Sequence, residues 1–167
     1  MIHPLRSIEA RTQNFILKHF RHTPYGRYMA KIRNSHLGES CFIIGNGPSL
    51  TVEDLNTLHD RGIDTFAVNR IYQIFPQTRW RPTYFVSTDA VMLRDKLEEA
   101  AAVPAKIKFI PLQNKYYHGI RIQGARYFFR NDNRAKDQPE GPEACVLLGF
   151  SEGAVFALVG VDQLHIA

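Results

Sequence analysis

The residues Gly45-Asn46-Gly47-Pro48-Ser49-Leu50 directly follow the apolar run Cys41-Phe42-Ile43-Ile44. A short apolar segment bounded by glycine predicts a buried parallel strand. The two glycines let the backbone turn sharply and approach a ligand with no side chain in the way. Asn46 and Ser49 add neutral hydrogen-bonding groups at the rim. That combination suits a phosphate or a nucleotide. It matches neither standard phosphate loop, because no Lys follows a second glycine and Leu50 stands where a dinucleotide fingerprint has its third. The same residue types also build a tight strand-to-helix turn that binds nothing.

Two more apolar runs end in the same way. Thr65-Phe66-Ala67-Val68 stops at Asn69-Arg70, and Tyr84-Phe85-Val86-Ser87 stops at Thr88-Asp89. In an open parallel sheet the ligand crevice lies beyond the carboxyl ends of the strands. If the strands are neighbours, Asn46, Asn69 and Asp89 share one rim with Ser49. Asn offers a donor and an acceptor, suited to ribose hydroxyls or a base edge. Asp89 suits acceptance from a hydroxyl or ligation of a divalent metal. Each of the three has a plainer alternative as a turn or capping residue.

Other candidates are weaker. His118, after Tyr116-Tyr117 in a predicted loop, is a candidate general base, since an unperturbed imidazole titrates near 6.5; a surface or packing histidine is the favoured reading. Arg130-Asn131-Asp132-Asn133-Arg134 has the arginines of a phosphate clamp and the polarity of a solvated loop. Glu152 suits a helix N-terminus through the helix dipole. The histidines are scattered, and no Cys/His spacing suggests zinc.

The elements that must position these residues alternate strand and helix. Pro4 to about Phe20 reads as a basic amphipathic helix, able to lie on a membrane, bind a partner or pack on the domain. Thr23-Pro24-Tyr25-Gly26 is expected to break it. Thr51 is the predicted N-cap of a helix running to about Leu58, with Glu53 and Asp54 in its first turn. Ile71 to Phe75 predicts a short helix stopped by Pro76. Ala90 to Ala102 predicts a single helix, and Lys106 to Ile110 a fourth strand. Beyond Pro111 the pattern weakens, with Tyr127-Phe128-Phe129 a further strand candidate and Asn131 to Pro142 a turn-rich loop. Alternation of this kind implies an α/β fold with a parallel sheet and right-handed crossovers.

Composition agrees with one globular domain: 167 residues, 44% hydrophobic and 22% charged. No apolar run reaches the roughly 20 residues of a membrane span. Met1-Ile2-His3-Pro4-Leu5-Arg6 has no secretory h-region. Cys41 and Cys145 are too few for a disulfide framework, so reduced thiols and a cytoplasmic setting are expected. The net charge of +5 is concentrated in the first third and from the 120s to Arg134. No recognition-helix, RNA-binding or zinc-finger signature accompanies it. A solvated basic face, or one attracting a phosphorylated ligand or anionic lipid, is expected in place of specific nucleic-acid binding.

The stretch from Cys41 to Leu50, then Phe66-Ala67-Val68-Asn69-Arg70-Ile71-Tyr72, Trp80-Arg81-Pro82-Thr83-Tyr84 and Thr88-Asp89, resembles the motility-accessory-factor family. That family includes the 6-hydroxymethylpterin pyrophosphokinase-like proteins and relatives in surface-polysaccharide gene clusters. The resemblance covers residues from about 38 to 112. The Gly-Asn-Gly-Pro-Ser loop and the strand-end Asn are also similar to bacterial sialyltransferases that use a CMP-sugar. In those enzymes the residues matching Asn46, Gly47, Ser49 and Asn69 surround the nucleotide. The resemblance implies a Rossmann-like sheet flanked by helices over 38–167, preceded by a helical extension over 1–37. It further implies a nucleotide site drawing on Gly45, Asn46, Gly47, Pro48, Ser49, Asn69 and Arg70, with Ser151 and Gly153 matching a later loop. With Val155 to Ile166 read as the helix after that loop, the family's final strand is expected to be missing before Ala167, and a C-terminally truncated domain is expected.

Three functions follow as expectations. The first is glycosyl transfer from a CMP-type donor, in surface polysaccharide or flagellin glycosylation, with Asn69 and Asp89 completing the pocket and His118 the acceptor base. The second is pyrophosphoryl transfer from ATP to a pterin alcohol, needing Mg2+ with Asp89 as first ligand. The third is a non-catalytic, nucleotide-binding or membrane-peripheral module.

Overall fold

The computed structural model describes Phe15 and residues 19–130. The readings that fall on Pro4 to Phe20, Asn131 to Pro142, Cys145 and Ser151 to Ile166 lie wholly or mostly outside them. Strands β1 (Phe42–Ile44), β2 (Thr65–Val68), β3 (Tyr84–Val86), β4 (Ile107–Pro111) and β5 (Arg126–Phe128) form one five-stranded sheet. All four pairings are parallel, and the strands lie side by side in chain order. The helices are α1 (Pro24–Ile32), α2 (Val52–Asp60), α3 (Ala90–Asp95), α4 (Leu97–Ala102) and α5 (Leu112–Tyr117), with a 3-10 segment at Ile71–Gln77. This is a Rossmann-like α/β architecture.

Period-two alternation sorts the strand side chains onto two faces. Ile44, Ala67, Phe85 and Ile110 belong to one buried cluster with Leu55 and Leu58 of α2, Met92 and Leu93 of α3, Ala100 of α4 and Leu112 of α5. Crossovers of one hand, with no reversal of strand order, place every connecting helix on the same face. The other face carries Cys41, Phe66, Tyr84 and Phe109, which pack with Met29, Tyr28 and Ile32 of α1. The N-terminal helix therefore supplies the layer that the crossovers cannot. Phe66 and Tyr84, cross-strand partners, stack at 4.6 Å between ring centroids.

Several local expectations change in three dimensions. The expected break is present, with a turn over residues 21–23, but the same segment also starts α1: Thr23 Oγ1 accepts from the Gly26 N–H at 3.1 Å, and Pro24 takes the first helical turn. Pro76 lies inside the 3-10 segment, which runs on to Gln77. The single helix expected over Ala90 to Ala102 is two, separated at Lys96 with φ −131° and ψ 42°. No Gly or Pro marks that break. The Lys96 N–H closes α3 on the Met92 carbonyl, and the Lys96 carbonyl opens α4 by accepting from Ala100.

Lys108 sits on the helix-covered face opposite Phe85. Its ammonium donates to the Ala101 carbonyl near the end of α4, where the helix dipole favours a cation. Burial pushes its pKa below the usual lysine value. Among the described residues no helix is long and apolar enough to cross a membrane.

Candidate functional site

The apolar runs of β1, β2 and β3 end side by side, and their polar followers are linked across the carboxyl edge of the sheet. After β1, Asn46 extends its Nδ2 to the Val68 carbonyl at the end of β2, at 3.0 Å. After β2, the Asn69 N–H donates to the Val86 carbonyl at 3.2 Å, and its Oδ1 accepts from the Ser87 hydroxyl, also at 3.2 Å. After β3, the Ser87 N–H reaches the Phe109 carbonyl of β4. Asn114 of α5 donates its side-chain N–H to the Thr88 carbonyl at 3.2 Å. Gln113 clips the chain after β5 through both amide atoms, donating to the Arg130 carbonyl and accepting its N–H. The rim is thus a row of amide and hydroxyl groups, each bonded to the end of a neighbouring strand or to the residues that follow it.

The first loop turns by a different device from the one expected. Neither Gly45 nor Gly47 has positive φ. The turn is made by Pro48 and Ser49, closed by the Leu50 N–H on the Gly47 carbonyl at 3.1 Å, with Pro at the second turn position where its fixed φ fits. What the glycines supply is the absence of a side chain, with Gly45 buried and Gly47 half-buried. The backbone N–H groups of Gly47 and Ser49 make no hydrogen bond among the described residues. Thr51 follows as N-cap of α2, its Oγ1 accepting from the Asp54 N–H and donating to the Asp54 carboxylate at 2.6 Å.

Asn69 is a non-glycine residue in the left-handed region, with φ +50°. Asn tolerates that conformation better than most residues, and here it frees the side chain to meet Ser87. Arg70 is exposed, and its guanidinium has no ion pair or hydrogen bond among the described residues. It stands next to Asn69 as an uncommitted cation at the rim.

Asp89 is also on this edge, but one of its oxygens is engaged. Its Oδ1 accepts from the N–H groups of Val91 and Met92 at 2.9 and 3.0 Å, making it the N-cap of α3. Only Oδ2 is left for a cation or a substrate hydroxyl. Mg2+ commonly takes one or two carboxylates and completes its shell with phosphates and water, so Asp89 fits it as a single ligand. Loss of the cap has a definite cost: Asp89→Ala should lower unfolding stability by about 1 kcal/mol, and Asp89→Asn should retain most of it. Urea denaturation reads both, and an unchanged midpoint in Asp89→Ala would mean the cap contributes nothing.

His118 is not in a loop but at the C-cap of α5, exposed, its N–H on the Asn114 carbonyl at 3.3 Å. It follows by one turn the Asn114 that holds Thr88. Ser151 and Gly153 lie outside the described residues. Ser87 and Asn114 were not among the residues picked out from the sequence. For Ser87 the signal was present, since it is the first polar side chain after Tyr84-Phe85-Val86, as Asn69 is after β2.

Comparison of the chain with known protein families, with curated proteins and with solved structures found no match.

Proposed function

We propose that this chain is a nucleotide- or nucleotide-sugar-binding transferase domain, acting in glycosyl transfer from a CMP-type donor. One observation carries the reading. The Gly45 to Leu50 turn, Asn69 and Arg70 converge at the ends of adjacent strands, joined by the Asn46 to Val68 hydrogen bond. Two backbone N–H groups without a hydrogen bond among the described residues, at Gly47 and Ser49, and the Arg70 cation suit a phosphate. The remaining amide atoms of Asn46 and Asn69 suit ribose hydroxyls or a base edge.

The chemistry follows from where charge develops. A sugar donor of this class reacts when its phosphate leaving group is stabilised, chiefly by donors already in place. A loop held by the closed turn at Pro48 and by Asn46 needs little reorganisation to present its N–H groups. His118 is the candidate acceptor base. The resemblance to motility-accessory-factor proteins and to CMP-sugar sialyltransferases points the same way, and makes surface polysaccharide or flagellin glycosylation the setting. Membrane-peripheral contact, if it contributes, falls to residues before α1, because the apolar side of α1 already packs on the sheet.

Isothermal titration with CMP tests the binding reading, with Mg2+-ATP as the competing ligand. CMP should bind, and Asn46→Ala should weaken it about tenfold, the worth of roughly one hydrogen bond. Mg2+-dependent ATP binding that is lost in Asp89→Asn, with no CMP binding, would transfer the assignment to pyrophosphoryl transfer. A folded sample that binds neither nucleotide ends the proposal.

A further inference from the structure

A second cluster of chemistry-bearing side chains lies at the opposite, amino-terminal end of the sheet and owes nothing to the nucleotide rim. His36 and Glu39 sit in the loop after α1, and Asp64 immediately precedes β2. The loop is tightly folded: Asn34 and Gly38 take positive φ, and the Glu39 N–H bonds the His36 carbonyl at 3.1 Å. That turn brings His36 Nδ1 to 2.6 Å from Glu39 Oε2 and 3.9 Å from Asp64 Oδ2. The three donor atoms all lie within 4.8 Å of one another.

The far side of the imidazole is held as well. Its Nε2 is 2.6 Å from the hydroxyl of Tyr84, whose side chain is buried in the α1-facing cluster. The Asp64 carbonyl accepts from the Phe42 N–H at 3.0 Å, fixing the backbone beside the carboxylate. Nδ1 faces both carboxylates, and an ion there would take the place of the hydrogen that Nδ1 and Glu39 share, leaving Nε2–H to donate to Tyr84. An imidazole oriented by a hydrogen bond on its other nitrogen is the usual arrangement of a metal-ligating histidine.

We propose that His36, Glu39 and Asp64 bind a divalent transition-metal ion of the Zn2+ type. The ion fastens the loop after α1 to the amino ends of β2 and β3. Distances fit the assignment. At Zn–N and Zn–O bonds of about 2.0–2.2 Å, tetrahedral donor atoms stand roughly 3.3 Å apart. The present 2.6 and 3.9 Å separations bracket that value. Each carboxylate need move by less than about 1 Å, and Glu39 is exposed and free to do so. One imidazole and two carboxylates form a mixed nitrogen and oxygen set that suits Zn2+ better than Mg2+, which favours oxygen alone. The fourth position falls to water.

Titration of the full chain with Zn2+, followed calorimetrically and by thermal unfolding, tests this. One equivalent should bind in the micromolar range or tighter and raise the unfolding midpoint by mass action. Glu39→Gln and Asp64→Asn should each weaken binding at least tenfold. Tyr84→Phe should weaken it by about tenfold to a hundredfold through loss of the imidazole's outer partner. Glu39 is on the surface, so its variant keeps the test valid should Asp64→Asn fail to fold. The remaining histidines are a competing source of weak Zn2+ binding. If the folded chain binds no Zn2+, or binds it equally in wild type and Glu39→Gln, the site does not exist and the His36–Glu39 contact is an ordinary ion pair.

Discussion

Gly26→Ala is expected to destabilise the protein by about 2 kcal/mol or more, although helix propensity alone predicts a gain of about 1 kcal/mol for the same change. Gly26 lies inside α1, with no special φ to preserve. The decisive fact is its neighbour. A Cβ at this position would stand 2.0 Å from the Phe20 carbonyl oxygen, 2.6 Å from its carbon and 2.7 Å from Arg21 Cα. These are backbone atoms, which cannot swing aside as a flexible side chain would. The same carbonyl accepts the Thr23 hydroxyl at 2.6 Å and the Thr23 N–H at 2.9 Å. Relief of the clash must therefore disturb the cap that starts α1. Overpacking costs about 1–3 kcal/mol or more, and a lost cap about 1; together they exceed the propensity gain. Since α1 packs on the second face of the sheet, the loss should appear in global unfolding. Urea denaturation decides it, and a variant at least as stable as wild type would show that residues 20 and 21 do not hold the position described.

Asn69 should separate structure from binding. In Asn69→Ala two penalties combine. The left-handed backbone at φ +50°, which Asn tolerates through its short polar side chain, costs Ala up to about 1–2 kcal/mol more. The fully buried Ser87 hydroxyl also loses its acceptor, worth about 1–3 kcal/mol. A total of roughly 2–5 kcal/mol follows. Asn69→Gly removes the same amide but tolerates the backbone, so it should lose only the Ser87 part. If Asn69 contacts a nucleotide, both variants should lose CMP affinity alike, at least about tenfold, despite their unequal stabilities. Calorimetric titration beside urea unfolding separates the two effects. Unchanged CMP affinity in Asn69→Gly would reduce Asn69 to a structural residue.

The difference between these two positions shows what kind of information each needed. Asn69 could be picked from the sequence because an apolar run stops there, and a strand that stops beside its neighbours delivers its next residue to their common edge. Asp89 could be picked in the same way, but its use as the cap of α3 could not. A carboxylate after a strand looks the same whether it serves a ligand or the amides of the next helix. Gly26 carried no signal at all, because the atoms that forbid a side chain there come from the preceding turn.

The meeting of His36, Glu39 and Asp64 is hidden in the sequence for a related reason. A search by Cys and His spacing finds donors placed close together along the chain. His36 meets its acceptor Tyr84 across 48 positions and Asp64 across 28. Only Glu39, three residues on, was within reach of a local pattern, and a lone His-x-x-Glu pair has no specificity.

From its amino acids alone this chain specified where strands β1 to β4 run to within a residue or so, that they alternate with helices, and that Thr51 caps α2. Each of those depends on apolar period, turn chemistry or capping, which act over a few neighbouring residues. The fold decided the rest: the strand order, the burial of α1 on the second face, the break at Lys96, the linked rim from Asn46 to Asn114, and the meeting of His36, Glu39 and Asp64. These depend on which surfaces come together when distant segments pack, and packing selects among local conformations that lie within a kilocalorie or so of one another.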